Sequence, residues 1–287
     1  TPIGSCRLAV ALAMPAVALA QSPSFIAAWG SLGSWPNEFS SPAGIALGSS
    51  GIVYVVDEGN GRVQEFLSSG AFLIAWGSFG VSAGRFTDPV GVATDASGNV
   101  YVTDRNHNRV NVFDSAGGSP VVWGHRGTGS GSLNHPSGVA IGPNGNVYVA
   151  NSMNDRVDSF SASGSFRGTL GSTGTALGYL SGPTGVALDA SGDIYVTDTN
   201  NSRVEVFSNA GTFLRAWGSL GSALGQFANP TGIAVDANRH VYVADSGNNR
   251  IEIVKNTGQF ITAWGGFGEA RGIVPLPFGL PREARAA

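Results

Sequence analysis

The stretch Pro230-Thr-Gly-Ile-Ala-Val-Asp-Ala-Asn-Arg-His-Val-Tyr-Val-Ala-Asp-Ser-Gly-Asn-Asn-Arg250 decides the fold, because it recurs four more times with similar wording. The prolines that open the copies follow each other at a constant step of 47 residues: Pro42, Pro89, Pro136, Pro183 and Pro230. A fixed period of this length, built from short runs with strand-like alternation, is typical of repeat arrays such as propellers. The sequence therefore predicts one structure made of small repeated units.

Each repeat contains four predicted strands. In the copy that opens at Pro89, the strand-like runs are Pro89–Asp95, Val100–Asp104, Arg109–Phe113 and Pro120–Gly124, and turn residues rich in Gly, Asn, Asp and Ser separate them. Four antiparallel strands per unit form a propeller blade. Gly and Ala recur in the first strand, which suits a position near the crowded axis. The recurring Tyr, Phe and Trp supply bulk for packing between blades.

The two ends of the repeat region indicate a sixth blade. Phe25–Gly30 is predicted to be an isolated fourth strand, because Trp29 precedes Trp76 by 47 residues. Pro277–Leu280 repeats the opening of a first strand, 47 residues after Pro230. We therefore expect an all-β propeller with five complete blades and parts of a sixth, truncated at both ends. The alternative is a five-bladed ring with spare strand fragments.

The first residues resemble a secretory signal peptide. Arg7 supplies a positive charge, Leu8–Ala20 is an apolar run of 13 residues, and Ala18-Leu19-Ala20 is a cleavage motif. A membrane anchor is the alternative, but a spanning helix needs about 20 residues. We expect a signal peptide over 1–20, cleavage after Ala20, a propeller over 21–281, a divergent tail over 282–287, and a secreted or periplasmic protein without a membrane span.

The polar residues of the repeat are predicted to be structural. An Asp that ends the second strand is followed five residues later by an Arg, as in Asp245 and Arg250, and Asn248 stands between them. A catalytic group is needed once per protein, whereas this set recurs in nearly every copy. Carboxylate and amide groups that fix a loop and an Arg fork explain the repetition.

With Pro-x-Gly-Ile-Ala-Val-Asp, Val-Tyr-Val-Ala-Asp, Asn-x-Arg-Ile and Ala-Trp-Gly in register, the chain resembles the NHL-repeat family over about residues 24–280. The resemblance implies a six-bladed β-propeller of the bacterial secreted type. Members of this family include extracellular sensor domains of bacterial receptor kinases, RNA-binding and protein-binding modules, and a few lyases. The family therefore points to binding more often than to catalysis, and the fold by itself does not choose between them.

Long glycine-rich connections between blades form the predicted recognition surface. They comprise 31–41, 78–88, 125–135, 172–182, 219–229 and 266–276, and they share one face with the loops between second and third strands. In one sector of this face lie five basic side chains: Arg105, His107, His125, Arg126 and His135. Such a cluster is a candidate site for an anionic group or, less readily, a metal. The alternative is an exposed polar rim.

Composition narrows the function classes. Removal of residues 1–20 leaves 15 Lys and Arg against 19 Asp and Glu, so the net charge of −4 disfavours nucleic-acid binding. Cys6 is the only cysteine, so the mature chain has no disulfide and no thiol chemistry. We expect a non-enzymatic propeller without a cofactor that binds a protein, peptide or glycan. A metal-assisted lyase or hydrolase is the alternative.

Overall fold

Five four-stranded antiparallel sheets make up the computed structural model, which describes residues 26–48, 51–118 and 120–266. Within each sheet the strand order follows the chain, so every sheet is a simple meander. The prediction of an all-β propeller with four-stranded blades is confirmed for five blades.

A short parallel pair, β1 (Ser31–Leu32) and β2 (Glu38–Phe39), precedes the blades. Blade 1 contains β3 (Pro42–Leu47), β4 (Val53–Asp57), β5 (Arg62–Phe66) and β6 (Phe72–Trp76). Blade 2 contains β7 (Pro89–Thr94), β8 (Val100–Asp104), β9 (Arg109–Phe113) and β10 (Val121–Trp123). Blade 3 contains β11 (Pro136–Ile141), β12 (Val147–Asn151), β13 (Arg156–Phe160) and β14 (Phe166–Leu170). Blade 4 contains β15 (Pro183–Leu188), β16 (Ile194–Asp198), β17 (Arg203–Phe207) and β18 (Phe213–Trp217). Blade 5 contains β19 (Pro230–Val235), β20 (His240–Asp245), β21 (Arg250–Lys255) and β22 (Phe260–Gly265). Single 3₁₀ turns follow the second strand at Glu58–Asn60, Ser152–Asn154, Thr199–Asn201 and Ser246–Asn248.

Side-chain chemistry fixes the turns between first and second strands. Asp95 directly follows the first strand of blade 2, and its carboxylate accepts hydrogen bonds from the backbone N–H groups of Ser97 and Asn99. The Tyr101 hydroxyl donates to the same carboxylate at 3.1 Å. Gly98 takes a φ of 86°, which a residue with a side chain adopts only with strain. The Asp-x-x-Gly motif therefore determines the conformation of the turn between the first and second strands.

The core consists of layers between consecutive blades. Tyr54, Val63 and Trp76 of blade 1 pack with Val100 and Phe113 of blade 2 in one buried cluster. The ring centroids of Trp76 and Phe113 are 4.3 Å apart. Equivalent clusters join blades 2 and 3, 3 and 4, and 4 and 5. Burial of one such aromatic side chain contributes about 2–3 kcal/mol, so contact with the next blade stabilises each blade.

Near the axis, the backbones of consecutive blades almost touch. A Cβ atom placed on Gly138 in the first strand of blade 3 would lie 2.6 Å from the carbonyl oxygen of Thr184 in blade 4. Gly44, Gly91 and Gly185 make the same approach to the blade that follows each of them. The small residues of the first strand are therefore required by backbone packing.

The predicted strand over Phe25–Gly30 is wrong for residues 26–30, which form no strand. The described residues contain no third strand beside this segment, so its backbone has no ladder partner. Trp29 nevertheless packs on blade 1, where its ring centroid lies 6.3 Å from that of Phe66. The predicted first strand over Pro277–Leu280 lies outside the described residues.

Within the part of the chain that the structure describes, no helix is long and apolar enough to cross a membrane.

We predict that Gly138→Ala lowers the free energy of unfolding by about 1–3 kcal/mol, because the new methyl group overlaps a backbone carbonyl that cannot move alone. Gly168→Ala in the same blade is the matched control, since the nearest atom to a Cβ there is 3.7 Å away. Urea unfolding measures both. Equal stability of the two variants would contradict the close approach of the blades.

Candidate recognition face

The long loops between blades and the turns between second and third strands meet on one face, which we call the top face. A backbone hydrogen bond joins the two in every blade, such as that from Gly247 N to Ala228 O at 2.7 Å. The predicted sorting of the loops by strand direction is therefore correct. Short turns between first and second strands, including the one that contains Arg239 and leads into His240, lie at the opposite ends of the strands.

Each of the five long loops in the described part of the chain is an ordered substructure with its own anchor. The loop before blade 4 closes through a parallel bridge between Thr173 and Leu180, and Leu180 is fully buried. The β1–β2 pair is the same bridge in the first loop. Phe86, Leu133 and Phe227 are the buried anchors of the other loops. The loops therefore present their side chains from a fixed backbone.

An arginine at the start of each third strand holds the loop backbone. Arg203 donates from Nη1 to the carbonyl of Thr175 at 2.7 Å, and from Nη2 to those of Ala176 and Tyr179, both at 2.8 Å. Its Nε donates to Asp198 Oδ2 at 2.9 Å. Arg62, Arg109, Arg156 and Arg250 bind the equivalent carbonyls of their own loops.

Asp198 and Asn201 complete this arrangement. Asp198 Oδ1 accepts from Ser181 N at 2.7 Å, and Asn201 Nδ2 donates to Asp198 Oδ2 and to the carbonyl of Gly174. The prediction that the repeated Asp, Asn and Arg form a structural clamp is confirmed. We call this set the loop clamp.

Blade 3 keeps the loop clamp although Asn151 replaces the aspartate. Asn151 Oδ1 still accepts from Asn134 N at 2.7 Å, but Arg156 Nε donates to Asp158, two residues further along β13. Asn151 Nδ2 also donates to Asp158 at 2.6 Å. In blade 3 the carboxylate therefore lies on β13 instead of β12, and Arg156 still has one carboxylate partner.

Blades 4 and 5 contain a second buried carboxylate in the loop clamp. Glu205 is fully buried, pairs with Arg203 at 2.7 Å and accepts a hydrogen bond from Gly178 N. Burial raises the pKa of Glu205 to about 7, although Arg203 and Gly178 N–H act in the opposite direction. Glu252 repeats the arrangement with Arg250 and Gly225 N, and burial likewise raises its pKa to about 7. Sequence analysis missed this pair, although period-2 alternation places Glu205 on the same strand face as Arg203.

Two of the five predicted site residues, Arg105 and His135, act on the carboxylate of Asp88 on the top face. Arg105 donates from Nε to Asp88 Oδ2 at 2.7 Å and from Nη2 to Glu58 at 3.2 Å, which joins blades 1 and 2. Burial acts to raise the pKa of Asp88, but the hydrogen bond and charge of Arg105, aided by nearby His135, outweigh it and the pKa is lowered. Arg105 is therefore already neutralised by carboxylates.

The other three predicted residues have separate surroundings. His107 occupies the amide position of the loop clamp: its Nδ1 lies 2.6 Å from Asp104 Oδ2 and its Nε2 lies 3.0 Å from Thr87 Oγ1. His125 Nε2 lies 3.1 Å from Ser132 Oγ, and Arg126 forms the loop bridge with Leu133. No hydrogen bond or ion pair joins any two of the five predicted residues among the described parts of the chain.

An open hollow of about 340 Å³ lies on the top face between blades 4 and 5. Two repeat periods earlier in the sequence, Arg105, Arg126 and His135 are the equivalents of its lining residues Thr199, Leu220 and Asn229. The lining of the hollow carries no charge: Thr199, Asn200, Ser202, Leu220, Ala228, Asn229 and Gly247.

Apolar side chains project from the outer parts of the same loops. Leu220 is 76% exposed, and Leu177, Leu224 and Val81 are also exposed. They are not needed by the loop clamp, which uses backbone carbonyls and buried polar groups. Within the described residues, no group of three or more His, Cys, Asp and Glu side chains is placed to hold a metal ion.

Five segments of the chain match the family model described as NHL repeat: 39–66, 86–113, 133–157, 180–207 and 227–254. The chain belongs to the NHL-repeat family. Four of the matched segments begin at the buried loop anchor, the first begins at the half-buried Phe39, and all five include the arginine of the loop clamp. The NHL unit therefore contains a loop together with the strands that hold it, offset from the blade.

Solved structures with the same fold have different activities. A streptogramin B lyase shares 18% identity at a TM-score of 0.60, over 78% of this chain and 68% of that chain. A chain of a nidogen–laminin complex shares 19% identity at a TM-score of 0.62, over 79% and 81%. A gluconolactonase from Xanthomonas campestris shares 15% identity at a TM-score of 0.59, over 77% and 74%. No curated protein sequence matches the chain. These similarities show the propeller fold alone.

We predict that Arg203→Lys lowers the free energy of unfolding by about 3 kcal/mol or more, because one ammonium group cannot reach three carbonyls and Asp198 together. Hydrogen exchange should accelerate in the loop 172–182 and stay unchanged in the loop 125–135. Arg167→Lys, at an exposed position of blade 3, is the control and should change stability by less than about 0.5 kcal/mol. An unaffected loop 172–182 would show that the arginine does not hold it.

We predict that the free energy of unfolding falls as pH rises from about 4.5 to about 7 and then levels off. Glu205 and Glu252 have pKa values near 7 in the folded state and an ordinary value of 4.5, so the folded state holds more protons in this range. The double variant Glu205→Gln/Glu252→Gln should flatten this dependence and be more stable than the wild type at pH 8. Gln64 fills the same position in blade 1 and accepts from Asn37 N, so the amide fits.

Urea unfolding at pH 5, 6, 7 and 8 tests this pH dependence. A constant difference in stability between the wild type and the double variant at all four pH values would contradict it.

Proposed function

We propose that this NHL-repeat protein is a non-enzymatic binding propeller whose top face recognises a protein, peptide or glycan. The observation that supports the proposal is that the backbone and the side chains of the top-face loops have different roles. The loop clamp uses the backbone carbonyls and fixes the loop path, while the projecting side chains differ from loop to loop. A rigid platform with variable side chains is suited to recognition, because little conformational entropy is lost when a ligand binds.

The exposed groups of the top face support binding of a macromolecular surface. Leu177, Leu220 and Leu224 offer apolar contacts around blades 3 to 5, and Arg126 and His135 lie in the top-face loop between blades 2 and 3. Apolar contacts beside hydrogen-bonding groups are typical of interfaces. The match to a chain of a nidogen–laminin complex shows that this fold occurs in a protein–protein assembly.

A metal-assisted lyase or hydrolase is the second candidate function. Structures of a streptogramin B lyase and a gluconolactonase share the fold, and such chemistry needs polar groups that converge near the axis. Asp88 and His135 stand before the repeat prolines of blades 2 and 3, and the charge of His135 contributes to lowering the pKa of Asp88. One bound divalent metal ion per chain by elemental analysis, lost in His135→Ala, would favour this candidate over binding alone.

We also propose that the protein is exported, with cleavage after Ala20, and that its ring has six blades. The signal-like segment supports the first proposal, and N-terminal sequencing of the mature protein tests it. The packing of Trp29 against Phe66 supports the second, because Trp76 makes the equivalent contact with Phe113. An intact N-terminus in an exported protein would contradict the cleavage site.

Affinity capture with the immobilised protein tests top-face binding. The probes are a cell-envelope extract of the producing organism and a mixed glycan array. We expect a captured species that the top-face variant His125→Ala/Arg126→Ala/His135→Ala binds at least about tenfold more weakly. The variant Arg239→Ala/His240→Ala, in a turn and at the start of β20 at the opposite ends of the strands, is the matched control and should bind like the wild type. Equal capture by the wild type and the top-face variant would overturn the assignment of the ligand to this sector.

A further inference from the structure

A short side chain lies in the wall of the open hollow between blades 4 and 5. Ser202 lines this hollow and takes a left-handed backbone conformation, with a φ of 54°, directly after the 3₁₀ turn Thr199–Asn201. The residues at the same position of blades 2 and 3 are Asn108 and Asp155, with φ values of 54° and 51°. The backbone conformation at this position is therefore the same in the three blades, and the side chain differs.

In blades 2 and 3 this side chain binds the loop that leads to the next blade. Asn108 Oδ1 accepts a hydrogen bond from His135 N at 2.9 Å. Asp155 Oδ1 accepts one from Gly182 N at 2.8 Å. Both N–H groups belong to the residue that precedes the repeat proline. A side-chain oxygen of one blade therefore holds the residue before the first strand of the next blade.

The equivalent pair in blade 4 is Ser202 and Asn229, and both residues line the hollow. A serine oxygen is one bond closer to the backbone than the side-chain oxygen of asparagine or aspartate. The space that those side chains fill in blades 2 and 3 is therefore part of the hollow. Blade 1 also has a small residue at this position, Gly61, but there the ring of Phe79 lies against it. The hollow can thus receive the oxygen of a ligand at the N–H group of Asn229.

We infer that the hollow binds the carboxamide side chain of an asparagine or glutamine in a peptide or protein ligand. The inference rests on the proposed binding function and names the ligand group for one part of the top face. The ligand oxygen accepts from Asn229 N, as Asn108 Oδ1 accepts from His135 N. The ligand amino group donates to the backbone carbonyl of Asn200, as Asn108 Nδ2 donates to that of Asn106 at 3.0 Å.

The lining of the hollow favours a carboxamide over a carboxylate. Asp155 is a carboxylate, and its second oxygen accepts from the Thr173 hydroxyl at 3.0 Å. Leu220 stands at the position of Thr173 in the loop beside the hollow and has no hydroxyl to donate. The described lining carries no charge, so a ligand carboxylate would gain no cationic partner there.

Leu220 also favours a peptide as the source of the carboxamide. Its side chain is 76% exposed and lies in the wall of the hollow. The methylene groups of an asparagine or glutamine side chain are apolar and can pack against it. An acetamido group of an amino sugar, by contrast, brings ring hydroxyl groups to the same apolar surface, and burial of a hydroxyl without a partner is unfavourable.

The variant Ser202→Asn tests the inference, because it supplies the carboxamide from the chain itself. Asn108 shows that asparagine fits this position at the same φ, and asparagine tolerates the left-handed conformation better than serine. We expect Tm to rise by about 1–3 °C, because the new side chain binds Asn229 N. The same variant should lose ligand binding. A more stable protein with less binding is the opposite of what general damage to the fold would produce.

The probe is the peptide acetyl-alanyl-asparaginyl-leucine amide, and the readout is the amide NMR signal of Asn229 in the full chain. The wild type should show a saturable shift, and Ser202→Asn should bind the peptide at least about tenfold more weakly. Two controls should bind like the wild type: Ser202→Ala, which keeps the hollow open, and Asp155→Asn, which changes the equivalent position of blade 3. No saturable shift in the wild type, or equal binding by Ser202→Asn, would overturn the inference.

A second comparison uses the wild type alone and depends on no variant. The aspartyl form of the same peptide should bind at least about tenfold more weakly than the asparaginyl form at pH 7, because its carboxylate lacks a donor at Leu220. Diacetylchitobiose, which carries amide groups on sugars, should not shift the Asn229 signal. Equal binding of the two peptides, or binding of the sugar in place of the asparaginyl peptide, would overturn the inference.

The two proposals fail in different ways. A ligand that is captured equally by the wild type and by Ser202→Asn, with no binding of the peptide probe, would retain the binding function and overturn the carboxamide site. Conversely, a protein that binds the probe at Asn229 and captures nothing from the extract or the array would retain the carboxamide site and overturn the proposed function.

Discussion

The top face depends on hydrogen bonds from the arginine at the start of each third strand to the backbone carbonyls of the long loop. Each long loop follows an irregular path, and irregular backbone must have its carbonyl groups satisfied. Arg203 satisfies three of them and pairs with Asp198 at the same time. The planar fork of arginine suits this task because its donors point in fixed directions. The loops are therefore as well defined as the strands that they connect.

The number and position of the carboxylates that pair with the arginine of the loop clamp differ among the blades. Blade 1 pairs Arg62 with Asp57 and uses the neutral Gln64 beside them. Blade 3 moves the carboxylate from the second strand to Asp158. Blades 4 and 5 keep the aspartate and add a glutamate, so two carboxylates share one guanidinium. The extra buried charge is costly, which is the physical cause of the raised pKa values of Glu205 and Glu252.

The sequence predicted the parts of the structure that depend on side-chain pattern. The strands of blade 2 were predicted to within about a residue at each end, because period-2 alternation and Asp-x-x-Gly turns mark them. The loop clamp was recognisable because a repeated polar set is structural. The carbonyl partners of the arginines could not be predicted, because every residue has a backbone carbonyl and the residue type does not show which of them accepts a hydrogen bond. The prediction of a strand around Trp29 was wrong because a strand also needs a neighbouring strand to pair with. The packing of Trp29 on Phe66 was predictable because it depends only on the spacing of the repeat.

The basic residues of the predicted site bind different partners, and the sequence pattern did not show those partners. Sequence analysis did not predict the carboxylates that bind two of these five residues, but it correctly placed all five in loops of one face: Arg105, His107, His125, Arg126 and His135. Asp104 is part of the loop clamp and holds His107, while Asp88 holds Arg105. Sequence pattern places residues on a face, and local carboxylates then decide which of them are available to a ligand.

Packing of each outer aromatic residue on the following blade has a consequence for how this chain could change in length. Trp76 contacts Phe113, and Trp123 contacts Phe160, across interfaces that are nearly copies of one another. A gene duplication or deletion of one whole period would join one such interface to another with little mismatch, so ring size could drift by single units. The same likeness means that a blade can recognise the wrong neighbour. Two chains folding close together could therefore exchange blades and form entangled dimers.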